Sequence, residues 1–245
     1  AFGPGKGGSG LHDLAALAAS SLPYSRQQAR HLKRLLTGDE AKGRLRSSGR
    51  LVGSRSSRIL NCDPKLFKRP KIQKSNNTDF HVLLDTSASM NNDERMVTAL
   101  AAAMSLTKAI QSIPSASLEL TGFGNSSYQT IQTRKAKFTP LSPAWNVKAR
   151  GGTPLLQAMQ YAYAELASRS PKNGKVLLVI TDGTVSNTDS INESVNAMNA
   201  MGYVTCFLGI QTASMADIDA ISEVISEVSQ LENAMFGIVN RVLAA

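Results

Sequence analysis

Phe80-His81-Val82-Leu83-Leu84-Asp85-Thr86-Ser87-Ala88-Ser89 is the stretch on which the reading of this chain turns. An apolar run that ends abruptly in a carboxylate reads as a buried strand. Two hydroxyls follow the carboxylate at alternate positions, so the carboxyl end of that strand carries a concentrated set of oxygen donors. In an open α/β sheet, ligands bind at that end.

Downstream, apolar strands alternate with helical patterns, as expected for a doubly wound sheet. Asp93 to Ser112 reads as a long helix whose small-apolar run, Ala99 to Met104, suits close packing on a sheet. Leu118 to Phe123 and Tyr128 to Thr133 read as a hairpin across Gly124-Asn125-Ser126-Ser127. A helix from Pro154 to Ser168, a strand from Val176 to Thr181, a helix from Ser190 to Met201 and a strand from Val204 to Ile210 follow. Between Ala216 and Glu227 the pattern fits a short helix and then a strand that uses Val224, Ile225 and Val228. Ser229 and Glu232 are spaced as a capping box for a last helix reaching Leu243. The predicted fold class is α/β: a doubly wound, mostly parallel six-stranded sheet with one antiparallel hairpin strand.

Upstream the character changes. Residues 1–10 are a glycine-rich lead-in, and residues 11–77 form a basic, partly helical module ahead of the main domain at 78–245. Leu11, Leu14, Ala15, Ala18 and Leu22 recur at helical spacing; Pro23 interrupts; Ala29, Leu32, Leu35 and Leu36 resume it, which predicts a helical hairpin or a broken helix. Ala41 to Ser57 reads as extended or loop-like. Residues 1–75 carry 16 Lys or Arg against 4 Asp or Glu, while residues 76–245 carry 11 against 14. The whole basicity of a chain with net charge +9 thus lies in its first third, a segment suited to nucleic acid, an acidic protein surface or an acidic stretch of its own chain. Apolar runs are too short to cross a bilayer and nothing near the amino terminus has a leader's apolar core, so the expectation is a cytoplasmic protein with no membrane contact. Cys62 and Cys206 lie in different regions and are expected to be free thiols.

Three segments place oxygen donors at strand ends: Asp85-Thr86-Ser87-Ala88-Ser89, Gly151-Gly152-Thr153-Pro154 and Thr181-Asp182-Gly183. Asp85, Ser87, Ser89, Thr153 and Asp182 make an all-oxygen set of two carboxylates and three hydroxyls. Such a set suits a hard ion, Mg²⁺ first and Mn²⁺ second, and suits Zn²⁺ poorly. With so few charged ligands the ion keeps positive character, so a partner's carboxylate would complete its shell. Thr86 and Gly152 fall on the expected docking face. The lone Trp145 is open to two readings, an anchor for its loop or a flank of that face.

In this order, Asp-x-Ser-x-Ser, Gly-Gly-Thr-Pro and Ile-Thr-Asp-Gly resemble the metal-ion-dependent adhesion site (MIDAS) of von Willebrand factor A (VWA) domains. Asp-x-Ser-x-Ser-Met with Gly-Gly-Thr-Pro-Leu further resembles the CobT subunit of aerobic cobaltochelatase. Gly43-Arg44-Leu45, Gly49-Arg50-Leu51, Phe67-Lys68-Arg69 and Thr78-Asp79-Phe80 follow that family's order more loosely. Two positions depart from it: Ala88 stands where a glycine is usual, and Thr86 where asparagine is frequent. The resemblance implies a non-catalytic subunit that works with a MoxR- or CobS-type AAA+ ATPase, docks through the metal on a partner carboxylate, and forms part of a ring. The implied outcome is cobalt chelation in cobalamin biosynthesis or activation of another metalloenzyme.

Other chemistries find less support. His12, His31 and His81 have no ligand spacing, and Ser87 lacks the elbow and the positioned base of a nucleophile. No phosphate-binding loop is present. Nucleic-acid binding by the basic segment would want interleaved aromatic residues, of which only Phe67 is available.

Overall fold

The computed structural model describes residues 13–37, 50–51, 67–68, 77–92, 94–125, 127–183, 187–212, 215, 217–230, 233–234 and 237–238. The glycine-rich lead-in, most of the Ala41–Ser57 stretch, Cys62 and the end of the expected last helix lie outside these residues.

Helix α1 spans Leu14–Thr37, and two short strands, β1 (Arg50–Leu51) and β2 (Phe67–Lys68), pair antiparallel. The main sheet uses β3 (Thr78–Asp85), β4 (Ala116–Gly124), β5 (Ser127–Gln132), β6 (Gly174–Thr181), β7 (Tyr203–Ile210) and β8 (Ile221–Ile225). Their order is β5-β4-β3-β6-β7-β8, parallel throughout except for the hairpin strand β5. Helices α2 (Arg95–Gln111), α3 (Leu155–Ala167) and α4 (Thr188–Ala200) complete the crossovers. This is the six-stranded, doubly wound arrangement read from the sequence. β3 lies inside the sheet, and its alternation feeds two cores: Phe80, Val82 and Leu84 face α2, while Leu83 faces α3 and α4.

Helix α2 is buried on almost every side, with Ala99 to Ala103 at most 1% exposed. A helix apolar all round needs cover on both flanks. The sheet covers one flank and α1 the other, through Leu17 and Leu32, while Ser105 donates a 2.9 Å hydrogen bond to Gln28 Oε1. This packing corrects the expectation of a broken helix at Pro23, because α1 runs unbroken through it. Pro23 is exposed, whereas Leu17, Ser21, Ser25, Gln28 and Leu32 form a buried stripe at helical spacing. Burial of that stripe offsets the lost backbone hydrogen bond, roughly 3 kcal/mol for an interior proline.

The carboxyl-terminal reading needs two corrections. Described residues 217–220 form turns, and Val228 lies in a 3-10 turn (Val228–Gln230) that follows β8. The strand ends at Ile225 because register with β7 runs out there, at Ile210. Residues 233–234 and 237–238 are helical.

His81 sits in the middle of β3, fully buried, with Nε2 3.2 Å from Thr121 Oγ1 and its ring edge-on to Tyr161. Burial, and then the nearby Arg169 guanidinium, push it down from 6.5 to about 3. The folded protein therefore holds His81 neutral while the unfolded chain protonates it below 6.5, so its contribution is intact above 6.5 and is lost as pH falls toward about 3. In that window, wild-type unfolding free energy should fall with pH more steeply than that of His81→Gln, by about 1.4 kcal/mol per pH unit. Urea titrations between pH 4 and 7 measure the difference, and parallel slopes would remove His81 from the acid response.

Candidate functional site

Backbone strain gathers where the parallel strands end. Glu94, Asn125, Gly151, Gly183, Asn187 and Gln211 all have positive φ, and all lie in loops at that end of the sheet. Such residues persist only where the surroundings fix them, and functional sites are where they collect. Gly151 shows the constraint: at φ 79° any Cβ would fall 2.2 Å from Asn125 Cβ.

Asp85 closes β3 and is fully buried. One carboxylate oxygen accepts the Ser87 amide at 2.8 Å and the other accepts the Thr181 hydroxyl at 2.7 Å. Burial pushes its pKa above the ordinary carboxylate range; the hydrogen bonds from Thr181 and Ser87 oppose this, and the Asp182 charge adds to it. Past Ser87 the chain enters a short 3-10 turn (Ala88–Asn91), which brings Ser87 Oγ and Ser89 Oγ to 3.0 Å. Ala88 has no positive φ, so the turn does not require glycine there.

The second segment is stitched onto the first through the backbone. The Ala88 amide donates to Gly151 O at 3.0 Å, the Arg150 amide to Thr86 O at 2.7 Å, and the Asn125 amide to Gly152 O at 3.1 Å. Thr153 follows, half-buried, just before α3. The third segment leaves β6, the neighbour of β3, where Asp182 is buried and accepts from Arg95 Nη1 at 3.2 Å. The five predicted donors thus come from three loops at one end of adjacent strands, and the two carboxylates interact electrostatically.

Two contacts were not read from the sequence. Thr181 was named in the third donor segment but not among the five ligands, and its hydroxyl fixes Asp85. Arg95, which opens α2, reaches Asp182 across the β3–β6 boundary, and no local pattern announces that contact. The expected docking face also needs correcting. Gly152 is exposed, but Thr86 is buried and donates to Phe123 O at 2.8 Å, and Trp145 is 0% exposed. Trp145 packs edge-on against Phe138, with ring centroids 5.7 Å apart, so it anchors its loop and presents no surface. Among the described residues no group of three or more His, Cys, Asp or Glu side chains gathers, so a metal here depends on hydroxyls as well as carboxylates. Cys206 is a free, buried thiol pushed up to about 12 by burial. No described helix is long and apolar enough to cross a membrane.

Residues 80–184 match the family model of the von Willebrand factor type A domain. No curated protein sequence matches the chain. Among solved structures, the SpRpn10 VWA domain is similar at 17% identity and TM-score 0.52, covering 64% of this chain and 94% of its own. The pilus adhesin SpaC from Lactobacillus rhamnosus GG, in an open conformation, is similar at 14% identity and TM-score 0.56, over 72% of this chain and 31% of the adhesin. Proximal thread matrix protein 1 from the mussel byssus, in a structure with a zinc-occupied MIDAS motif, is similar at 15% identity and TM-score 0.50, over 68% of this chain and 46% of its own. This chain therefore spans about a third of the adhesin and about half of the byssus protein. The fold is that of a VWA domain.

Proposed function

We propose that the Asp85 face holds a divalent cation, Mg²⁺ by preference and Mn²⁺ as an alternative, and that the cation docks a carboxylate of a partner protein. Asp85, Ser87, Ser89, Thr153 and Asp182 would hold the ion, directly or through water. The observation that carries this reading is the gathering of the buried Asp85 and Asp182 carboxylates with the Ser87 and Ser89 hydroxyls, whose Oγ atoms share a 3.0 Å hydrogen bond, at the ends of adjacent parallel strands. An all-oxygen donor set of this kind suits a hard divalent ion. When bound, the ion would supply positive charge for the partner's carboxylate. The chain's own groups would orient it, and the role assigned to the face is binding.

The finer reading is a non-catalytic, CobT-like subunit that works with a MoxR- or CobS-type AAA+ ATPase, in a ring, on cobalt chelation or another metalloenzyme. Its support is the combination of Asp-x-Ser-x-Ser-Met with Gly-Gly-Thr-Pro-Leu at Asp85–Met90 and Gly151–Leu155. Calorimetric titration with Mg²⁺ and Mn²⁺ tests the metal, with one ion bound per chain expected. Capture of the ATPase in Mg²⁺ but not in EDTA tests the partner. Absence of binding heat for both ions would sink the whole proposal; metal binding without ATPase capture would leave only the coarser module.

Arg95 supplies a further expectation. Its guanidinium lies on Asp182, where an incoming cation needs the same carboxylate. Arg95→Met removes the competing charge and should raise Mg²⁺ affinity about fivefold, an effect of roughly 1 kcal/mol for a partly exposed charge. The same titration measures it, and weaker binding in the variant would show that Arg95 holds Asp182 in place for the ion.

A further inference from the structure

Beside the Asp85 face lies a cavity of about 150 Å³ whose chemistry the metal site does not use. It lies against β4, where Gly122 and Gly124 make room for the Thr86 side chain. A Cβ on Gly124 would fall 2.6 Å from Thr86 Oγ1, and one on Gly122 3.2 Å from Thr86 Cγ2. Thr86 forms part of the wall and stands between Asp85 and Ser87, so the cavity and the metal site share that wall.

The remaining wall is an extended segment with period-two burial. Trp145 and Val147 point into the core, while Asn146, Lys148 and Arg150 line the cavity. Lys148 and Arg150 are exposed and make no ion pair among the described residues. Asn146 Oδ1 is buried without a hydrogen-bond partner. Along the chain the segment that carries them is basic: residues 120–164 contain five Lys or Arg and no Asp or Glu. Two exposed cations with no ion pair among the described residues favour a ligand that brings a carboxylate, which an acidic peptide does. The volume is well below the roughly 300–1,000 Å³ of a cofactor pocket, so one side chain and its backbone fill it. Phe138 and Trp145, the aromatics of the same loop, are buried and offer no platform for a base.

We propose that this cavity is a second, metal-independent carboxylate subsite, and that the partner is an acidic segment with one carboxylate for the cation at Asp85 and another for Lys148 and Arg150. The pairing of the two rests on the metal-docking reading; the cavity's own preference does not. The probe is a twelve-residue peptide alternating Asp and Gly, with an Asn-Gly peptide as control, titrated into the full chain and followed by amide NMR. The Asp peptide should shift the Gly122, Gly124 and Asn146 amides in EDTA as well as in Mg²⁺, and should shift Ser87 and Thr153 only in Mg²⁺. Replacing Lys148 and Arg150 together by Ala should weaken the first response about tenfold and leave the second in place. Lys148→Arg with Arg150→Lys should restore it. Cavity amides that stay still, respond equally to the Asn peptide, or ignore the double substitution would overturn the proposal. So would tighter binding there of inorganic phosphate or an oligonucleotide. If the cavity responds while Ser87 never does, the metal-docking reading fails and the carboxylate subsite stands.

Discussion

Asp85→Ala is expected to lower Mg²⁺ affinity at least ~100-fold and to abolish any Mg²⁺-induced rise in melting temperature, while the domain stays folded. Loss of the ion follows from position, because Asp85 ends the strand from which Ser87 and Ser89 are hung, and its oxygens organise the loop through the Ser87 amide and the Thr181 hydroxyl. Persistence of the fold follows from burial. A carboxylate with no exposed surface, its pKa raised by desolvation, costs the metal-free protein free energy, so removing the charge gives back part of what removing the hydrogen bonds takes away. Asp85→Asn refines the test, since it keeps an acceptor for Ser87 but not the charge. Wild type should gain about 2.7 kcal/mol of stability when Mg²⁺ reaches a hundred times its dissociation constant, and neither variant should gain any. An Mg²⁺-dependent melting shift in Asp85→Ala would remove this residue from the site.

Trp145→Ala should cost about 3–5 kcal/mol of unfolding free energy, among the largest single losses available in this chain. The indole is 0% exposed, joins the α2-side core and meets Phe138 edge-on. Its Nε1 has no hydrogen-bond partner, so Trp145→Phe gives up no bond and should lose only about 1–2 kcal/mol. Urea denaturation separates the two variants. A loss below 1 kcal/mol for alanine would place the ring at the surface, as one reading of the sequence allowed. The alanine variant should also lose the cavity response to the Asp-Gly peptide, because the segment carrying Lys148 and Arg150 hangs from this anchor.

The placement of the candidate donors was legible because its parts are local. Asp85, Ser87 and Ser89 follow one apolar strand within five residues, and Asp182 follows another, so recognising the strands placed the donors at their ends. Thr153 was legible for the same reason, beside a Gly-Gly pair whose first member needs positive φ. The contacts made by Thr181 and Arg95 were not. Each acts on a carboxylate more than eighty positions away in the chain, and register between β3 and β6 is what brings them together. Trp145 was ambiguous because a lone aromatic in a polar loop has the same local sequence whether it plugs a core or caps a face.

Sequence alone therefore determined the alternation of strands and helices, the doubly wound sheet with its antiparallel hairpin strand, and the oxygen donors at the strand ends. Hydrophobic period and turn chemistry are encoded within a few residues of one another, and they suffice for those features. Tertiary structure alone decided that α1 continues through Pro23, that α2 is roofed by it, that Trp145 turns inward, and that Lys148 and Arg150 line one cavity with Thr86. In each of these cases the deciding energy is burial against, or exclusion from, a surface supplied by a distant part of the chain, and no local pattern carries that information.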